Sequence, residues 1–170
     1  EVISKLEAMI APLYRKAPRL PRDTTDWIAD NAWWIALLGA VLGLITVLGI
    51  VSLTFFAGVF FTSVAGLVGA TLSGIVLVGV ILALTFSIID IVLLSLAVNP
   101  LKNKLSKGWT LIFISLLIHV ISVVVNFLFT FDVLRLIWSL TFTVIGGYLL
   151  FEVRHNFKIA HVKARATVKK

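Results

Sequence analysis

The sequence contains no cysteine. That excludes a disulfide framework, a thiol nucleophile and a thiolate metal site. Charge is scarce too, and across residues 33–98 the only formally charged side chain is Asp90. Prolines number four, and three of them fall before the first long apolar run. The motifs of familiar chemistries are missing as well: no HExxH, no Walker Gly-Lys-Ser/Thr loop, no GxSxG and no GxGxxG after a strand. His155 and His161 are six residues apart, on different helical faces, which excludes them as a metal pair. The single mid-run carboxylate lacks the second acid of an aspartyl dyad, and no K⁺-filter sequence is present. No enzyme activity, catalytic residue, metal or cofactor is expected.

What is there is apolar: 60% hydrophobic residues and a mean hydropathy of +1.10 over 170 residues. A soluble domain of this size has no interior for such runs. In hydrocarbon, backbone polar groups are satisfied only inside helices or a closed barrel. Barrel strands alternate apolar and polar residues, whereas these runs are continuous. The expected fold is therefore all-α: a polytopic membrane protein with four transmembrane helices and an N-terminal amphipathic interfacial helix. The spans are expected at about 33–56, 70–98, 109–128 and 131–151, within a four-helix domain of residues 31–153. Asn99-Pro100 is expected to end the second span. Residues 57–73 hold the first turn and leave room for a re-entrant piece.

Before the spans, residues 1–30 form an amphipathic segment and a basic, proline-rich linker. Val2, Ile3, Leu6, Met9, Ile10 and Leu13 share one helical stripe. That stripe fits a helix lying in the interface plane, and equally a helix docked on the protein's own cytosolic side. Asp23, Thr24 or Thr25 is expected to cap the first span. Residues 1–30 lack the parts of a signal peptide, so the first span is expected to act as its own insertion signal. Residues 154–170 form a basic tail. With both termini cytosolic, every Lys and Arg except Arg135 falls on the cytosolic side, as the positive-inside rule favours. The net charge of +7 then points to anionic lipid headgroups rather than nucleic acid. Lys102, Lys104, Lys107 and Arg154 are the headgroup candidates.

Small residues mark close helix contacts. Gly39 and Gly43 form a GxxxG, and Gly66, Ala70 and Gly74 repeat the same step. Without a hydrophobic drive between helices in lipid, such positions gain from close backbone approach. They fit a self-association face of a homo-oligomer, or packing between spans 1 and 2 of one chain.

The sharpest signal is polar. Ser115, His119, Ser122 and Asn126 recur at steps of four, three and four in an otherwise apolar third span, forming one row. Such a row must face protein or water. Ser87 and Asp90 share a face of span 2 with Gly79 and Ala83. By helix rise, Asp90 lies roughly 13 Å and His119 roughly 15 Å in from the same end. An Asp90–His119 pair is a candidate proton-sensitive element, or a hydrogen bond that fixes helix register. In span 4, Asp132 and Arg135 are spaced for an i,i+3 ion pair. Glu152 is spaced to pair with Arg154 or Lys158.

The strings KGWTLIF at 107–113 and IGGYLLFEVR at 145–154 resemble those of small four-span membrane proteins of reduced-genome, candidate-phylum bacteria. The resemblance covers roughly residues 6–156. It implies a four-span topology in a bacterial inner membrane, and no catalytic residue. The expected function is an oligomeric channel or transport component for protons or small ions. Asp90, His119, Ser115, Ser122, Asn126 and Ser87 would line or gate its path. The alternative is a membrane scaffold or assembly subunit whose polar row is structural, and a third idea is a lipid-handling enzyme subunit.

Overall fold

The computed structural model describes residues 2–14, 17–64 and 66–158, and their side chains except at 2, 61, 62, 64, 66–76 and 158. The described elements are helical: α1 (Val2–Tyr14), α2 (Arg22–Val64), α3 (Gly66–Lys102), α4 (Ser106–Thr130), α5 (Val133–Glu152) and the short α6 (Arg154–Lys158). Four of them, α2 to α5, are long and apolar enough to cross a membrane. Hydroxyls inside these apolar helices bond to the carbonyl one turn back, as Thr46 does to Leu42 O and Thr141 to Ile137 O. That leaves few polar atoms facing lipid.

Helices α2 and α3 form a long antiparallel hairpin. Its register shows at three levels: Asp30 pairs with Lys104, Gly39 faces Leu94 and Gly43 faces Ile91. A Cβ on Gly43 would come within 2.8 Å of Ile91. The GxxxG of the first span thus packs it against the second span of the same chain. Ala29, Ala32, Ala36 and Ala40 extend this small-residue stripe, and all are buried. Gly66, Ala70 and Gly74 sit in α3; their packing lies outside the described features, as does the tail at residues 159–170.

Helix α2 ends at Val64 and α3 begins at Gly66, so the break between the first two spans falls within the expected 57–73. Residues 57–73 are helix on both sides of position 65. They continue α2 and α3, and position 65 lies outside the described residues. Contrary to expectation, Pro100 does not end its helix. Without an N–H it forfeits one backbone bond, but α3 runs to Lys102, where Lys104 N–H donates to Leu101 O and Leu105 N–H to Pro100 O. At the other end α2 starts at Arg22, ahead of the expected cap. Thr25 there bonds to Arg22 O, and Pro21 O accepts from Thr24 and Thr25 N–H.

Helix α3 packs on α4, and α4 on α5, while α2 and α5 make no extended contact. The core is concentrated at the end carrying α6 and the α3–α4 turn, here the terminal end. Ala97, Leu101, Trp109, Phe113, Leu150, Val153 and Phe157 are buried there. Trp109 stacks on Phe113 at 5.3 Å, Phe151 meets both rings edge-on at 5.7 Å, and Trp109 Nε1 donates to Leu150 O at 2.7 Å. At the opposite, far end, Phe131 caps α4 in the left-handed conformation. Asp132 caps α5 by accepting from Arg135 N–H at 3.0 Å. This cap stands where the spacing predicted an ion pair.

Helix α1 docks on the terminal end by Ile10 of the stripe and by Glu7 and Tyr14, which lie outside it. Glu7 pairs with Arg154, Ile10 packs on the core and Tyr14 stacks on Phe151 at 5.2 Å. Met9 and Leu13, from the apolar stripe, are exposed at 73% and 75%. Burial among these groups pushes the Tyr14 phenol above its ordinary value.

Candidate functional site

Two cavities run along the inner side of α4, between α2 and α5. One, of about 360 Å³, lies toward the terminal end, where Asp90, Ser115 and His119 join apolar walls from Ala32, Leu116 and Leu149. The other, of about 210 Å³, lies toward the far end. Ser87, His119, Ser122, Asn126 and Ser139 line it, and Thr130, Asp132 and Arg135 stand at its far-end margin. The two meet at His119, which belongs to both. Helical periodicity explains the arrangement: steps of four and three keep Ser115, His119, Ser122 and Asn126 on one face, and that face looks between the flanking helices. The His119 ring is itself exposed on the bare protein, consistent with a groove rather than a sealed hole.

Asp90 receives its hydrogen bond from Ser115 Oγ, one turn closer to the terminal end than His119. The imidazole and the carboxylate share a cavity without an Asp90–His119 hydrogen bond or ion pair. Above this level the hydroxyls behave differently from those on the lipid-facing surfaces. Among the described Ser and Thr side chains in residues 33–98 and 109–151, Ser87, Ser95, Ser122 and Ser139 have no protein hydrogen bond, while the others back-bond within their helix or, at Ser115, bond to Asp90. Three of these four line the far cavity. Asn126 Oδ1 is buried there without a partner. An orphaned polar atom in an apolar environment costs roughly 1–3 kcal/mol, so this cluster calls for a polar guest. Ser139 joins the site from α5. The sequence offered its spacing from Arg135 but nothing that tied it to Ser122.

Three of the four headgroup candidates are engaged. Lys104 pairs with Asp30, Lys102 lies 5.4 Å over the Trp33 ring, and Arg154 pairs with Glu7 and lies 5.1 Å over Trp109. Lys107 is exposed. Arg154 therefore takes Glu7 rather than Glu152 as its carboxylate. No group of three or more His, Asp or Glu suited to a metal occurs among the described residues.

No protein family, curated protein or solved structure matches this chain. Its four apolar helices define a multi-pass membrane protein.

Proposed function

We propose that this protein is a transport component that moves protons or small cations along the groove between α2 and α5. The observation that carries the reading is the shared wall of His119. A polar cavity reaches it from the Asp132–Arg135 margin, and Asp90 lies on its other side. Unpartnered oxygens of Ser87, Ser122, Asn126 and Ser139 would solvate water or a cation along that approach. His119 and Asp90 are the groups that exchange the proton, since ionisable groups inside spans mark ion pathways by default. Beyond the cavity, Trp109, Phe113 and Phe151 pack against one another at the terminal end. One copy has little interior, and a homo-oligomer completes the path. The terminal end is cytosolic, which keeps Lys102, Lys104, Lys107 and Arg154 inside, in a bacterial inner membrane.

Flux into proteoliposomes carrying a pH-sensitive dye tests this. The unaltered protein should dissipate an imposed proton gradient. Asp90→Asn and His119→Ala should each lower the rate at least about tenfold, the effect of 1.4 kcal/mol on a barrier. Absence of flux above empty vesicles refutes the reading. The Ser115–Asp90 hydrogen bond favours a second reading, a scaffold in which this contact fixes the α3–α4 register. That reading expects no flux and an Asp90→Asn protein that unfolds earlier in detergent.

A further inference from the structure

A second polar site lies at the terminal end, away from the groove. The linker after α1, the start of α2 and the α5–α6 junction enclose a cup of about 750 Å³. Specific contacts build it. Tyr148 OH donates to Pro18 O and holds the linker against α5. Asn156 Nδ2 donates to Thr25 O at 3.2 Å and Asp26 Oδ1 at 3.0 Å, joining α6 to α2. Tyr14 on Phe151 and Glu7 on Arg154 fasten α1 as the remaining wall.

The lining has two characters. Leu20, Ala11 and Phe151 are apolar, whereas Arg19, Arg22, Arg154, Asp26 and Glu152 are charged, with Asp26 engaged by Asn156 and Arg154 by Glu7. Arg19 and Arg22 are exposed and have no ion pair among the described residues. Lys102, Lys104 and Arg154 are already committed to Trp33, Asp30 and Glu7. The cup therefore presents two uncommitted guanidinium groups, where the far cavity has only Arg135 at its margin. Arg19 in the linker and Arg22 at the first position of α2 supply the charge and the forked donors that a phosphate takes. Apolar walls beside them fit the glycerol and upper acyl carbons of an amphiphile.

We infer that the cup holds the headgroup of an anionic phospholipid, its phosphate on Arg19 and Arg22. Glu152 then accepts from a headgroup hydroxyl, which favours a glycerol head over choline. The inference rests on a cavity separate from the His119 groove and stands whether or not the protein carries ions.

The test compares the full-length protein in nanodiscs and in detergent. Melting in detergent supplemented with phosphatidylglycerol should rise above melting with phosphatidylcholine. Native mass spectrometry should retain phosphatidylglycerol in preference to phosphatidylcholine. The R19Q/R22Q double variant should bind phosphatidylglycerol about tenfold more weakly, as expected for loss of charge-assisted bonds, while Lys107→Gln keeps the preference. Equal stabilisation of the unaltered protein by both lipids overturns the inference, independently of how the double variant folds. Displacement of phosphatidylglycerol by millimolar glycerol phosphate also overturns it, because the ligand would then be a soluble phosphate ester.

Discussion

At Gly108, in the first turn of α4, an added Cβ would lie 2.7 Å from Leu101 N and 3.0 Å from Pro100 C. Both atoms are backbone, so neither can rotate away. Gly108→Ala is expected to destabilise the protein by about 1–3 kcal/mol, the usual cost of overpacking, read as earlier melting in detergent. Gly49 faces open space, and Gly49→Ala should leave melting unchanged or raise it, as helix propensity favours alanine. At the same scale, the row from Ser115 to Asn126 was legible in the sequence because its period matches a helix and its neighbours are Leu, Ile, Val and Phe. The choice of Ser115 rather than His119 as the partner of Asp90 was not. A slide of one turn between two apolar helices exchanges those partners, and no charge or turn residue in either helix fixes the slide. The arginines of the cup read as a solvated linker, since their meeting with Phe151 and Glu152 depends on contacts more than 100 residues apart in sequence.

Helix α4 presents its polar side to the groove from Ser115 to Asn126, and the absence of native cysteine makes that face accessible to experiment. Ser122→Cys and Asn126→Cys should react with a membrane-impermeant thiol reagent added on the Asp132 side. Phe113→Cys, at a fully buried position among the terminal-end aromatics, should stay unmodified from either side. Labelling of Phe113→Cys at the rate of Asn126→Cys would contradict that burial. Boundaries were the least legible property of the elements. Hydropathy locates the part of a helix that hydrocarbon covers, but not where its hydrogen bonding stops. That is why α2 outruns the expected first span at both ends, and why Pro100 sits inside α3. Helix α1 was legible as an element, while of its docking edge only Ile10 was. Glu7 and Tyr14 are polar residues that a hydrophobic stripe assigns to water, yet Arg154 and Phe151 give them partners.

The molecule as a whole gathers α1, α6 and the α3–α4 turn at one end. Reporters fused to the N- and C-termini should therefore read the same compartment, and the proposed orientation makes it the cytosol. A C-terminal phosphatase fusion active in the periplasm would reverse that orientation. The four-helix plan was legible because each apolar run exceeds the roughly 20 residues needed to cross hydrocarbon, whereas the unequal helix lengths were not. Gly79 faces Phe129 near the end of α4, so residues 66–78 of α3 continue roughly 20 Å past the α4–α5 turn at 1.5 Å per residue. The matching stretch of α2 bears Phe55, Phe56 and Phe60 on its exterior. One flank of the molecule is thus matched to a thicker bilayer than the other. Lipids around it must stretch on the hairpin flank and relax beside α5, at a cost of fractions of a kcal/mol per ångström. Two copies with their tall flanks toward one another would share that distorted rim, and the membrane's own elasticity would favour that arrangement over separate rims.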